Sequence, residues 1–292
     1  SLNKNVTSLF KEPKADKGYD RNLEAAFALH ALTEIKKDGN FDIINVHSID
    51  SYLLGANYIN IPSVFTFHNN PNLANEILTK LAPNVHYVFV SKNHQSKFPW
   101  IKNSHLIYNG IPVDSFPFSH EKQNYFVYVG AIAPNKGIHL AIKVALATNT
   151  KIIIAGKIRD ETYFKNKIEP LTVNGKVEYI GLVDEQNKKS LILNAKALLF
   201  PIQWEEPFST VILESLAMGT PVISYYNGSA SEVIENGKNG YIVNSVEDMI
   251  DKTKLLNEID KNCCRNTINN KFTSKQMAYK YVELYKNIIS SK

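Results

Sequence analysis

Trp204-Glu205-Glu206-Pro207-Phe208-Ser209-Thr210-Val211-Ile212-Leu213-Glu214, closed by Gly219-Thr220-Pro221-Val222, is the stretch that decides how this chain is read. Ser209 or Thr210 can cap a helix that starts with the apolar run Val211–Leu213. Glu206 then lies in the approach loop, and Glu214, eight positions on, falls on the second turn. The first turn of a helix leaves N–H groups unbonded, and the helix dipole adds partial positive charge, so such a terminus attracts anions. Carboxylates on either side of an anion site suit a ligand with an anionic middle and hydroxyl-rich ends. A nucleotide sugar has that chemistry.

Outward from this run the chain alternates strands and helices. Phe41–Val46, Ser63–Phe67 and His86–Val90 are short β-branched and aromatic runs. Leu23, Phe27, Ala31 and Ile35 recur at spacing four, which predicts a helix over residues 20–37 with Gly39 as its stop. A second series follows: Tyr125–Val129, Lys151–Ala155, Val177–Ile180, Ala197–Phe200, Pro221–Ser224 and Gly240–Val243. Runs apolar on both faces, separated by helical patterns, predict buried parallel sheets. Turn residues crowd Asn109–Pro117, which places a domain border near residue 118. The predicted class is α/β with two domains, residues 1–117 and 118–275. A final helical segment, 276–292, is expected to brace the first domain.

Composition bounds the function. The 292 residues can hold two ordinary domains, and 44% hydrophobic with 21% charged residues excludes a disordered chain. No apolar stretch is long enough to span a bilayer and no cleavable leader is read. Cys263 and Cys264, the only cysteines, are adjacent and cannot staple distant segments, so a cytoplasmic, reducing setting is expected. The formal net charge of +5 suits phosphate-bearing ligands or the anionic inner face of a membrane, and no nucleic-acid partner is expected. No Cys/His metal spacing, His-Glu-x-x-His, Gly-x-Ser-x-Gly or Gly-Lys-Ser/Thr loop is present. Paired glycosidase carboxylates face each other across one bond, whereas Glu206 and Glu214 flank a candidate anion site, so a hydrolase is not expected.

Several further motifs accompany the opening run. Val129-Gly130-Ala131-Ile132-Ala133-Pro134-Asn135-Lys136-Gly137 resembles a strand-to-helix turn written G-R-x-x-x-x-K-G. Tyr108-Asn109-Gly110-Ile111 resembles an N-G-[IV] interdomain turn, Ile154-Ala155-Gly156-Lys157 carries a glycine after its strand, and Gly228–Ile234 followed by Gly240-Tyr241 resembles G-x-x-x-E-[VI]…G-[YF]. Together with Glu206-x7-Glu214 they resemble the family 4 retaining glycosyltransferases of GT-B fold, over roughly residues 40 to 245. The resemblance implies two facing Rossmann-like domains. It also implies transfer of a sugar from a nucleotide-diphosphate sugar, UDP preferred, to an acceptor hydroxyl with retention of configuration and without a metal. The acceptor class stays open among glycans, lipid-linked molecules and small molecules.

The resemblance also assigns roles. Glu214 accepts from the ribose hydroxyls, and Glu206 lies beside the donor sugar, stabilising positive charge at its anomeric carbon. Phe208, Ser209 and Thr210 offer backbone N–H groups, with Ser209 alternatively a simple cap. Gly130 and Gly156 line the donor turns, and Lys136 neutralises the departing diphosphate. Where the family carries arginine this chain has Ala131, so Lys157 or Arg159 is expected to compensate. His68 is expected to position the acceptor hydroxyl or donor sugar, with His47 similar. His94, Gln95, Asn109 and Gly110 are candidate cleft residues.

The family's first domain opens with a strand, glycine-rich turn and helix that nothing before Phe41 supplies. The N-terminal domain is therefore expected to be incomplete, through a missing beginning, a compact variant, or a partner chain that completes the sheet. A contrasting reading keeps nucleotide-sugar binding without turnover, as in a scaffold.

Overall fold

A computed structural model describes residues 21–47 and 49–291; of the stretch before Phe41, where the opening unit is expected to be missing, residues 1–20 lie outside them. Helix α1 (Arg21–Asp38) covers the predicted span. It stops where Gly39, at φ 65°, turns its N–H back to the Ile35 carbonyl at 3.0 Å. Strands β1 (Ile44–His47) and β2 (Ser63–Phe67) pair in parallel, Ile44 opposite Ser63. Helix α2 (Leu73–Leu81) starts at a capping box in which Asn72 and Asn75 each accept the other's backbone N–H at 3.0 Å. After β3 (His86–Phe89), the short α3 (Lys92–Ser96) and β4 (Ser104–Leu106), the sheet reads β1-β2-β3-β4. Strand β4 is not anticipated by sequence, because three mixed residues carry no period. Phe65, Phe67, Tyr87 and Phe98 are buried together, the Phe67 and Phe98 rings 4.6 Å apart.

The second sheet contains β5 (Tyr125–Val129), β6 (Lys151–Ala155), β7 (Val177–Tyr179), β8 (Ala197–Phe200), β9 (Val222–Tyr225) and β10 (Gly240–Val243). Between them lie α4 (Ile138–Ala147), the single turn α5 (Glu161–Tyr163), α6 (Glu185–Asn194), α7 (Thr210–Ala217), α8 (Ala230–Val233) and then α9 (Val246–Thr253), α10 (Lys261–Lys271) and α11 (Ser274–Ser290). Every neighbour pair in the order β10-β9-β8-β5-β6-β7 is parallel. Phe126, Val127, Leu198, Leu199, Val222 and Ile223 are fully buried, which is why these strands read as continuous apolar runs. Strand order reverses between β5 and β8, and in a doubly wound sheet ligands bind beyond the strand ends at that reversal.

The described residues divide into two compact units. One holds residues up to Val88 together with Phe98–His105 and those from Tyr285 on; the other holds Phe89–Lys97 and Leu106–Leu284. Residues 89–97 and 106–117, expected on the N-terminal side of the border, thus group with the second unit, and the last helix supplies residues to both. Side chains explain the grouping. Ser91 Oγ donates to the Pro207 carbonyl at 2.7 Å. Arg265 donates to the carbonyls of Val113, Phe116 and Ala217 at 3.0, 2.8 and 2.5 Å. Lys122 likewise holds the C-terminal ends of α6 and α7, donating to Leu193 and Met218 carbonyls at 2.7 and 3.1 Å. Burial lowers its ammonium to about 8.

Candidate functional site

At the reversal between β5 and β8, a cleft of about 290 Å³ opens beyond the strand ends. Its walls are the turn after β5 (Gly130, Ala131, Lys136), the loop and first turn of α7 (Glu206, Phe208, Ser209, Thr210), and two facing charges, Lys188 and Glu214. The two motifs separated by some seventy positions in sequence meet here because β5 and β8 are neighbours.

Glycine shapes the turns. Gly156, at φ 152°, lies so close to Gly130 that an added Cβ would stand 1.8 Å from the Gly130 carbonyl oxygen. Gly228, at φ 61°, supports the Glu206 backbone, whose carbonyl oxygen an added Cβ would approach to 2.1 Å. Neither position accepts a side chain without moving the site.

Within the cleft Lys136 Nζ meets Glu206 Oε2 at 2.5 Å, both side chains 20% exposed. The same oxygen accepts from Trp204 Nε1 at 2.8 Å, and the Lys136 ammonium lies 4.7 Å from the Trp204 ring centroid. Trp204 thus fixes one oxygen of Glu206 and adds cation–π support to its partner. Tyr128, fully buried, donates its hydroxyl to the Ala131 carbonyl at 3.3 Å. Burial, with added repulsion from Tyr163 and Glu206, pushes that phenol upward and keeps it a neutral donor.

Glu214 projects from the second turn of α7 and is 12% exposed, its Oε2 3.0 Å from Lys188 Nζ. Burial raises its carboxyl above the ordinary range, while Lys188 pulls it back down. Lys188 in turn touches Glu185 at 2.8 Å. Burial would lower the Lys188 ammonium, but Glu185 and Glu214 outweigh that and raise it. Ser209 occupies the N-cap position of α7 without a side-chain cap bond. The expected simple cap bond is therefore absent, and Ser209 lines the cleft at the helix start.

The structure brings together Gly130, Lys136, Glu206, Phe208, Ser209, Thr210 and Glu214 from the expected set. Other expectations need correction. Lys157 and Arg159, expected to compensate for the arginine absent at Ala131, are exposed and do not line the cleft. Gly156 acts through backbone packing. His94 is fully buried with its ring edge-on to Phe89 at 5.4 Å, a core position. Gly110 is held by chain packing, its site for a Cβ occupied by the Thr273 carbonyl at 2.3 Å. Asn109, beside it, does not line this cleft, and nor does Gln95. Glu232 of the G-x-x-x-E segment accepts from the Lys92 and Asn93 amides, both at 2.9 Å, and from the Tyr108 hydroxyl at 2.7 Å. That glutamate ties three chain segments into one wall.

His68 belongs to the other unit. It follows β2, and its Nε2 lies 2.9 Å from Nδ1 of His47 at the end of β1, with the rings stacked at 5.2 Å. Asn45 Nδ2 lies 3.0 Å from His47 Nε2. Burial lowers both imidazoles, and their mutual repulsion lowers His68 further, so the pair is neutral at ordinary pH.

Sequence reasoning missed Trp204, Tyr128 and Lys188. The Trp-x-Glu spacing is the one local signal that could have pointed to the indole. Among the described residues no three His, Cys, Asp or Glu side chains are grouped to hold a metal ion, and no helix is long and apolar enough to cross a membrane.

Comparison with known proteins gives the family and the fold. The family model of the glycosyl transferases, group 1, matches residues 113–272. An uncharacterized glycosyltransferase of Methanocaldococcus jannaschii is 31% identical over 154 residues, covering 46% of this chain and 39% of the relative. The chain thus matches well under half the length of that curated relative. Among solved structures, a sucrose-phosphate synthase from Thermosynechococcus elongatus aligns with a TM-score of 0.80 at 14% identity, over 98% of this chain and 82% of that one. An Anabaena protein solved with UDP and glucose aligns at 0.74 and 17% identity, over 91% and 82%. These likenesses establish a GT-B-type α/β fold.

Proposed function

The chain belongs to the group 1 glycosyl transferases, and from that membership we propose that it transfers a sugar from a nucleotide-diphosphate sugar to an acceptor hydroxyl with retention of configuration. The observation that carries the proposal is the meeting of Lys136, Glu206, Glu214 and the α7 N-terminus in one cleft at the strand reversal. UDP is the favoured nucleotide, in keeping with the UDP-bound structural neighbour.

The roles follow from charge. Glu214 accepts from the ribose diol. The diphosphate sits against the first-turn N–H groups of α7 and draws Lys136 away from Glu206. Glu206, still held by the Trp204 N–H, then turns its remaining oxygen to the donor sugar. As the bond from the anomeric carbon to the phosphate oxygen breaks, positive charge grows at that carbon and negative charge on the phosphate. Glu206 stabilises the first, and Lys136 with the helix end stabilises the second. The acceptor oxygen bonds to the same face of the carbon, and its proton passes to the departing phosphate oxygen. No step requires a metal. His68, paired with His47, orients a hydroxyl. The acceptor is a glycan, a lipid-linked molecule or a small alcohol, and the setting is cytoplasmic, with peripheral membrane contact or a partner chain as further options.

Ala131 motivates a second reading, nucleotide-sugar binding without turnover, because a methyl group supplies no phosphate donor. A panel of UDP-, GDP- and ADP-sugars assayed for nucleotide release separates the two. The transferase reading expects release from one donor class and a loss of about a hundredfold or more in Lys136→Ala. Binding with no release from any donor supports the second reading instead.

A further inference from the structure

Lys188 enters the cleft from α6, a helix outside every motif of the sequence. Its ammonium sits between two carboxylates of unlike standing. Glu185, one turn earlier on the same helix, is 59% exposed, whereas Glu214 is 12% exposed and lines the cleft. The bond to Glu214 occupies one oxygen, Oε2, and thereby fixes the rotation of the carboxylate. We propose that Lys188 is the positioning residue for ribose recognition, holding Glu214 by one oxygen so that the other is aimed at the diol of a bound nucleotide.

Three observations support the assignment. Lys188 is mostly covered, 21% exposed, so its contact is not a loose surface pair. It bridges α6 to α7, which a lysine serving α6 alone through its bond to Glu185 would not need to do. Burial presses Glu214 toward its neutral form, and Lys188 is the strongest charge opposing that pressure. A neutral Glu214 would offer the diol an uncharged and weaker acceptor.

The inference rests on the proposed donor site, so the experiment separates the two. Calorimetry compares UDP with 2′-deoxy-UDP on wild type, Lys188→Met and Lys188→Arg, with thermal unfolding of each ligand-free protein as the control for folding. Wild type is expected to prefer UDP by on the order of tenfold, since one hydrogen bond to a charged group is at stake. In Lys188→Met that preference collapses toward one while 2′-deoxy-UDP binds nearly as before, and Lys188→Arg restores it. An equal preference in wild type and Lys188→Met overturns the role of Lys188 and leaves the donor site standing. A parallel loss of both nucleotides in a folded Lys188→Met overturns it too, since it shows a charge acting beyond the ribose. Wild type that binds neither nucleotide overturns the donor site itself, and this inference with it.

Discussion

In the six-stranded sheet, the site at the strand ends is built from opposite charges held in pairs, Lys136 with Glu206 and Lys188 with Glu214. In the four-stranded sheet, the ends of β1 and β2 present two neutral stacked imidazoles, His47 and His68. The same α/β architecture thus prepares two kinds of chemistry. A covered ion pair can exchange a partner for an ionic ligand while its charges stay compensated, which suits a diphosphate. A neutral imidazole pair brings no charge that would attract an anion. Under the proposed function, the ionic half of a donor belongs to the first edge and uncharged groups to the second.

The comparison breaks most readily at Glu206. Glu206→Gln keeps the shape of the side chain but frees Lys136 of its counter-charge. Turnover is expected to fall by about a hundredfold while UDP binds as well as before or tighter, because the ammonium no longer has to leave a carboxylate. Steady-state kinetics set beside UDP titration checks this. A joint fall of binding and turnover would mean that Glu206 holds the nucleotide, not the reacting sugar.

A smaller effect sharpens the other side. His47, His68, His86 and His105 all titrate below the ordinary histidine range because burial disfavours their charged forms. The unfolded chain therefore takes up protons first as pH falls. The stability these groups confer is full above the ordinary histidine value and is lost as pH drops from there through their lowered values. Protection factors of amides in β1 and β2, corrected for the intrinsic slowing of exchange at lower pH, should fall below about pH 6.5 before those in β5 and β8 do. An equal fall in both sheets would remove the proposed difference in character.

Most strands were legible because they are buried on both faces. Ser63–Phe67, Tyr125–Val129, Lys151–Ala155, Ala197–Phe200 and Gly240–Val243 begin and end where their apolar runs do. Strand β4, at Ser104–Leu106, was not, since its pairing comes from its neighbour and not from its letters. In the cleft, Lys136, Glu206 and Glu214 were legible through motif spacing. Lys188 was not, because as a sequence it is one lysine among several on a polar helix, and only the placement of α6 beside α7 gives it Glu214. His94 shows the converse. Its letter suggests a cleft, yet tertiary packing puts it in the core against Phe89. Lys157 and Arg159 stand outside the cleft lining, because proximity in sequence to a strand end did not place them in it.

Whether the cleft at the start of α7 holds a nucleotide diphosphate is decided by titrating UDP into wild type and Glu214→Ala by calorimetry. One UDP should bind per chain of wild type, with a loss of about tenfold or more in affinity on Glu214→Ala and the variant still folded. Equal binding by the two proteins would contradict that placement.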